Sequence, residues 1–428
     1  MTTSARQALV LMFYLLIAVS SAFAQKFTGT IQGRVTDPSG AVLPNAQVTI
    51  TNVATGVTRT TTTNADGDYT FPELQIGTYE VRVSSASFKE AVTKNVELHV
   101  ASTSTVNMQM QVGSATEVVS VEANAVQVAT TTATLGEVVN GTQVRELPLN
   151  GRSFAQLTQL QPGVSAANNF DPKNKGLLAG VDFSVNGNPT TNNLFLVDGA
   201  NNNDVGSNRT ILIYPSVDAI SEFKMLRNSY GPEYGQASGA VINIATRSGS
   251  NTFHGSALYF GRNDLLNSRE YFAARAEASA QANGKTLPNG GKDKLRRNDY
   301  GYTFGGPILK DKLFFFWSQE WNKEIRGQTR RACVPTAAER SGDFSQGVSC
   351  GAAVPHVPGG TAPLLHIPNP SPAGLLIGQL YPLPNIANPV DGKNWVQSVS
   401  SNINWRQENF RADYNLTKSN QLMFRYTQ

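Results

Sequence analysis

The residue types that most often carry chemistry are few in this chain and badly spaced for it. His99, His254, His356 and His366 are its four histidines, and none stands at a spacing that brings two imidazoles to one metal. Asp198, Asn201, Asn202, Asn203 and Asp204 crowd hard oxygen donors into one short run, as calcium prefers. The same residue types build turns, which is the simpler reading of that run. Neither a glycine loop for phosphate nor a nucleophile elbow occurs. The sequence therefore predicts no catalytic residue, no metal and no cofactor. Cys333 and Cys350 are the two cysteines; no histidine accompanies them at ligand spacing. In an oxidising compartment a disulfide is the leading expectation, worth about 3 kcal/mol through loop closure, with two free thiols as the alternative.

That compartment is set by the N-terminus, MTTSARQALVLMFYLLIAVSSAFAQ. One basic residue, Arg6, precedes an apolar run from Ala8 to Val19, and Ala22-Phe23-Ala24 offers a small-residue cleavage site. The run is short for a bilayer span, so residues 1–24 read as a signal peptide. Charged residues make up 15% of the 428, low against roughly 25% for an average soluble protein, and Thr, Asn, Ser and Gly replace them. That composition suits strands and turns. A net charge of +4 is too small to point to nucleic acid. No apolar run reaches the length of a transmembrane helix, so entry into a membrane requires a β-barrel.

The chain reads as mainly β and multidomain, in three regions. Residues 25–112 hold short alternating segments separated by Asp37-Pro38-Ser39-Gly40, Asn64-Ala65-Asp66-Gly67 and Ile76-Gly77, which predicts a seven-stranded sandwich. Gly33, Val35, Asp37, Gly40, Leu43, Ala46 and Val48 resemble the opening of the carboxypeptidase regulatory-like domain, with its prealbumin/Ig-like, carbohydrate-binding-like fold. Asp66-Gly67-Asp68-Tyr69 and Gly77-Thr78-Tyr79 continue the likeness. It implies a fold and no peptidase chemistry. Tyr69, Phe71 and Tyr79 are expected in the core rather than as sugar platforms.

Residues 113–122, GSATEVVSVE, form a short β-prone linker. Glu117, Val118, Val119, Ser120 and Val121 resemble the TonB box, a peptide that adds to the sheet edge of a periplasmic partner. A linker or a last sandwich strand is the competing reading.

Residues 123–250 predict a small α+β unit: two short helices, the second bearing Phe154, Leu157 and Leu160 and closed by Pro162-Gly163, then strands and a turn of helix capped by Ser216. Leu147 to Arg152, Gln161 to Val164, Val197-Asp198-Gly199, Ile220 to Arg227, Tyr234-Gly235 and Gly239 to Ile244 form an ordered series. It resembles the plug domain of TonB-dependent receptors, most closely the Oar-like group. Asn228 stands where many members have glycine. The resemblance implies that Arg227 pairs with a barrel carboxylate; a solvated strand-end charge is the alternative.

In residues 251–428 five strands are expected, in NTFHGSALYFGRND, NDYGYTFGGPI, DKLFFFWSQEWNKE and the two halves of NFRADYNLTKSNQLMFRYTQ. Long connections near 263–297 and 323–404 alternate with short turns at Pro307 to Lys312 and Lys418 to Asn420. A soluble sandwich gives no reason for all long loops to lie at one end, whereas an outer-membrane barrel does. Phe410, Tyr414, Phe424 and Tyr426 are then lipid-facing, and Arg411, Asp413 and Arg425 face the lumen. Gly305 to Ile308 and Lys312 to Phe316 resemble the Oar-like barrel turn. Arg296-Arg297 and Arg330-Arg331 are expected to be solvated or to face lipopolysaccharide.

The resemblance implies an outer-membrane receptor, energised through TonB, ExbB and ExbD, that takes up an oligosaccharide, peptide or metal chelate. Five strands cannot close, so a truncated N-terminal part of a longer barrel is expected. The alternative is a secreted or surface adhesion protein without transport.

Overall fold

The computed structural model describes residues 28–113, 118–122, 133–167, 181–282, 284, 286–287, 292–386, 392–417 and 420–428. The expected signal peptide, Glu117 of the expected TonB box, and Lys418-Ser419 of the last turn lie outside the described residues.

The first region is a sandwich. β1 (Gly29–Thr36), β4 (Asp68–Leu74), β7 (Thr103–Thr105) and β8 (Met108–Gln109) form one sheet, in which β1 pairs with the other three. The second sheet runs β3 (Thr58–Thr62), β2 (Gln47–Asn52), β5 (Gly77–Ser84), β6 (Glu90–Leu98), β9 (Val118–Glu122). Nine strands thus stand where seven were expected. Three of the nine, β7, β8 and β9, are short segments that lie parallel to β1 or β6, and no hairpin turn marks a parallel partner in sequence. Alternate residues Ile31, Val35, Val48, Ile50, Tyr69, Phe71, Val81 and Val83 close the core. The Tyr69 hydroxyl donates to the Val106 carbonyl at 2.6 Å and Tyr79 to that of Gln75 at 2.7 Å. Both rings are buried. Gly33 is required here: a Cβ would lie 1.9 Å from the Val106 carbonyl oxygen.

The second region carries the sheet β10 (Leu135–Asn140), β15 (Ile220–Asn228), β16 (Val241–Thr246), β13 (Leu194–Val197), β14 (Ala200–Asn201) in that spatial order. A small two-stranded antiparallel sheet pairs β11 (Val164–Ala166) with β12 (Phe183–Val185). Helix α1 (Gly141–Glu146) starts in a capping box in which Asn140 and Gln143 accept each other's backbone N–H, offsetting two of the donors that a helix start leaves unpaired. The second helix is a 3-10 segment, Phe154–Leu160. It buries Phe154 and Leu157, while Leu160 at its end stays exposed. Val139, Phe154, Phe183, Phe195, Phe223 and Ile242 are among the residues of one apolar core.

The third region contributes β17 (His254–Asn263), β18 (Leu295–Leu309), β19 (Leu313–Ala332), β20 (Trp395–Asn415) and β21 (Gln421–Thr427), each paired with the next in sequence. In β20 and β21 Phe410 faces Tyr426 and Ala412 faces Phe424. Burial alternates in the sense opposite to the plug's. Gln407, Asn409, Arg411, Asp413 and Asn415 are buried, while Tyr414, Leu422, Phe424 and Tyr426 are exposed. β18, β19 and β20 hold 15, 20 and 21 residues, well above the roughly ten that cross a bilayer. The strands therefore consume the ends of the expected loops, which shrink to 264–294 and 333–394.

The chain divides into two compact units, Met1–Ala257 with Gly301–Glu320 and Gln407–Gln428, and Leu258–Tyr300 with Trp321–Arg406.

Candidate functional site

In the first unit the plug meets the barrel strands through buried charge. β13 ends in Asp198 and Gly199, both in the left-handed region at φ +46° and +80°. This turn brings the Asp198 carboxylate back over the end of β16, where it accepts from the Thr246 backbone N–H at 2.8 Å and the Thr246 hydroxyl at 2.7 Å. Arg411 Nη1 of β20 lies 3.3 Å from the same carboxylate and Arg425 Nε of β21 lies 3.5 Å from it.

The barrel hairpin explains the need for this carboxylate. Arg411 and Arg425 are direct cross-strand partners, and like charges placed opposite one another repel. Arg411 also holds Asp413, two residues along the same face, through Nε at 2.8 Å and Nη2 at 2.9 Å. Asp413 in turn accepts from the Ser248 hydroxyl at 2.7 Å and the Gln75 amide at 3.2 Å. Two arginines and two aspartates make a neutral set, the condition under which buried charges are tolerated.

A second site repeats the device with the signs exchanged. Gly151 and Arg152 both have positive φ, which turns the chain so that Arg152 points out of the plug. Its Nη2 lies 2.6 Å from Asp218 and its Nε 3.4 Å from Glu320 of β19. The Ser216 hydroxyl, expected to cap the helical turn Val217–Ala219, makes no cap hydrogen bond and donates to Glu320 at 2.5 Å. The buried carboxylate is the stronger acceptor. Nearby, the Arg247 guanidinium stands 5.5 Å from the centre of the Phe316 ring.

Of the residues singled out in the sequence, Asp198 occupies the first site through its partners in the barrel. The rest of the Asn/Asp run is committed to hydrogen bonds within the plug. Asn202 clamps Ile213 with both amide atoms and Asn203 bonds Phe195 and Asn193. The Asp204 carboxylate accepts from Gly206 and Ser207. Arg227, at the end of β15, donates to the Pro162 carbonyl at 2.6 Å, a contact within the plug. Arg152, Arg411 and Arg425 hold charged contacts to or from the barrel strands, and none of the three was assigned a plug–barrel pairing from sequence. Val118–Glu122 lies as the edge strand β9 along Glu90–Lys94 of β6.

In the second unit Arg297 is buried and pairs with Asp299 at 2.6 Å and Glu324 at 3.4 Å. Asn322 donates to Asp299 at 2.5 Å. This corrects the expectation of a solvated or lipopolysaccharide-facing Arg297: Arg297, Asp299 and Thr303 share the inward set of β18, whereas Arg296 is exposed. Residues 333–386 and 392–394 bond among themselves. Cys333 and Cys350 form a disulfide with Cα atoms 6.0 Å apart. Phe344 N–H donates to Leu365, and Asn394 clamps Val334 with both amide atoms. A cavity of about 520 Å³ beside the disulfide is lined by Val334, Leu380, Tyr381 and Trp395, among others.

Comparison with known proteins follows the same three-part order. The carboxypeptidase regulatory-like domain family matches residues 30–111, the TonB-dependent receptor plug domain family 129–241, and the outer membrane beta barrel domain family 245–428. A TonB-dependent transporter Oar from Myxococcus xanthus is 31% identical over 310 residues, which cover 69% of this chain and 27% of the relative. The chain thus spans about a quarter of that relative's length. Among solved structures, the outer membrane transporter YddB from Escherichia coli is similar with 13% identity and a TM-score of 0.37, over 68% of this chain and 32% of YddB. The siderophore receptor PirA from Pseudomonas aeruginosa has 13% identity and a TM-score of 0.30, over 65% and 34%. These families describe receptors of the outer membrane and not enzymes. In order along the chain stand a carboxypeptidase regulatory-like domain, a TonB-dependent receptor plug domain and an outer membrane beta barrel domain, and in this series the chain is similar to the TonB-dependent receptors.

Proposed function

We propose that this chain serves energised uptake of an extracellular ligand through a plug-gated barrel in the outer membrane. The observation that carries the reading is the buried carboxylate of Asp198, a plug residue held by Arg411 and Arg425 of the barrel strands. A plug that must stay closed and yet move needs contacts that are strong, directional and separable. Buried ion pairs supply these, because either half can be re-solvated once water enters. Arg152 with Glu320 adds a second such contact.

TonB, with ExbB and ExbD, is the proposed energising partner. Residues 117–121 are the proposed TonB box, for which the edge position of Val118–Glu122 beside β6 is suited, since an edge strand can pair with a partner strand. Lipid and lipopolysaccharide would surround the barrel. The ligand, an oligosaccharide, a peptide or a metal chelate, would meet the segment 333–386, whose disulfide and internal hydrogen bonds hold it together. The domain boundaries are proposed at 25–112, 113–122, 123–250 and 251–428.

Cells carrying the full-length protein are to be tested with labelled oligosaccharides, peptides and metal chelates, with and without collapse of the proton motive force. Uptake that disappears on collapse, and on deletion of residues 116–121 with membrane assembly intact, supports the reading. Binding without uptake under any condition contradicts it and favours adhesion.

A further inference from the structure

The sandwich touches the plug through a three-residue run between β6 and β7. Glu222, at the start of plug strand β15, is 7% exposed. It accepts from the Val100 backbone N–H at 2.6 Å, and its other oxygen lies 2.8 Å from His99 Nδ1. Two residues along β15, Lys224 donates to the Ala101 carbonyl at 2.9 Å. Side chains at i and i+2 of a strand share a face. One face of β15 therefore meets this run with a carboxylate on an N–H and an ammonium on a C=O. The run is shaped beforehand, since the Ser102 hydroxyl donates to the His99 carbonyl at 2.6 Å and accepts from the His99 N–H at 3.2 Å. A crevice of about 130 Å³ beside it is lined by Ala101, Ser102 and Thr103 of the sandwich and Leu226, Tyr230 and Glu233 of the plug.

β15 lies inside the plug sheet, between β10 and β16, and β16 in turn pairs with β13, the strand that ends in Asp198. A hold on β15 is thus a hold on the sheet that carries the barrel contact. We infer that the segment His99–Ala101 is a proton-dependent latch, which restrains plug strand β15 against the sandwich more firmly in acidic than in alkaline surroundings.

The charged groups that face His99 are Glu222 and Lys224 of β15 and Glu97 of β6, whose carboxylate lies 3.7 Å from Nε2. Two carboxylates outweigh one ammonium. The hydrogen bond to Glu222 raises the His99 pKa above its ordinary value, against the opposing effect of burial. Burial lowers the Lys224 pKa. A histidine with a raised folded pKa contributes its full stabilisation below about pH 6.5, its unfolded value. That contribution is lost as pH rises through the higher folded value. The Val100 and Lys224 bonds do not depend on the imidazole proton, so the latch loosens without opening.

The consequence for gating rests on the proposed receptor function, whereas the latch can be measured without transport. Hydrogen exchange of the full-length protein in nanodiscs, corrected for intrinsic rates, is to be followed from about pH 5 to about pH 8, the range in which histidine titrates. Amides of Val100 to Thr103 are expected to lose protection as pH rises. His99→Gln should flatten that dependence. Glu222→Gln should speed exchange of the Val100 amide roughly tenfold, as exchange of a charged acceptor for a neutral one implies, with protection of the β2–β5 pairing unchanged as evidence that the sandwich stays folded. Protection in the native protein that does not vary with pH, or that varies equally in His99→Gln, overturns the inference. A latch that titrates in a protein whose uptake ignores the proton motive force removes the receptor reading and leaves the latch standing.

Discussion

The plug and the barrel strands use the same two-residue alternation with opposite outcomes. In β15 and β16 of the plug, Phe223, Met225, Ile242 and Ile244 are buried in an apolar core. In β20 and β21 the buried residues include Asn409, Arg411 and Asp413, while Phe424 and Tyr426 are exposed. Backbone geometry alone cannot produce this inversion, because a strand presents two equivalent faces. The surroundings decide: the plug sheet packs protein on both faces, so that β13 and β16 are buried throughout, whereas a barrel strand has lipid outside and a polar lumen within. The two regions then meet where each departs from its own rule. Asp198 is a charge directly after the apolar plug strand β13, and Phe314 and Phe316 are aromatic residues on the inward face of β19.

This contrast predicts a graded set of effects. Truncation of the fully buried Phe223 to alanine removes the centre of the plug core and should cost about 3–5 kcal/mol, read by denaturant unfolding of the plug signal in the full-length protein. If the plug instead tolerated that change as a lumen-facing position would, the apolar-core assignment would fail. Phe424→Lys places a charge where the account puts lipid. It should cost about 2 kcal/mol of barrel stability in bilayers, between the values for a midplane and an interfacial site, and little in the plug. An unchanged stability would mean that this face is wet. Asn140→Ala removes the capping box of α1 and should cost about 1 kcal/mol, detected as faster amide exchange in residues 141–146 with the barrel strands unaffected.

The sequence made the alternation legible but not its sign. NFRADYNLTKSNQLMFRYTQ fits a soluble hairpin as well as a membrane one, and only the strict alternation of long and short connections separated the two. Sandwich, plug and barrel strands were each legible through turn residues, periodicity and ordered motifs. Strand counts and lengths were not: β7, β8 and β9 are short strands in parallel pairing, and β19 and β20 run far into segments that read as loop because they are rich in polar residues. The ion-pair sites were hidden for a different reason. Asp198 with Arg411 and Arg152 with Glu320 join positions far apart in the chain, and one sequence holds no record of such pairings. One clue was present. Counting outward from the turn after Thr417 sets Arg411 opposite Arg425, and two like charges on one face call for an anion from elsewhere.

The central claim is that the plug is held to the barrel strands by this shared carboxylate. A double-mutant cycle on Asp198→Asn and Arg411→Gln in the full-length protein, with plug release followed by hydrogen exchange, tests it most directly. The account predicts that each single change loosens the plug and that the pair is coupled by about 2 kcal/mol, within the range for contacting charged residues. Strictly additive effects, with no coupling between the two positions, would contradict it.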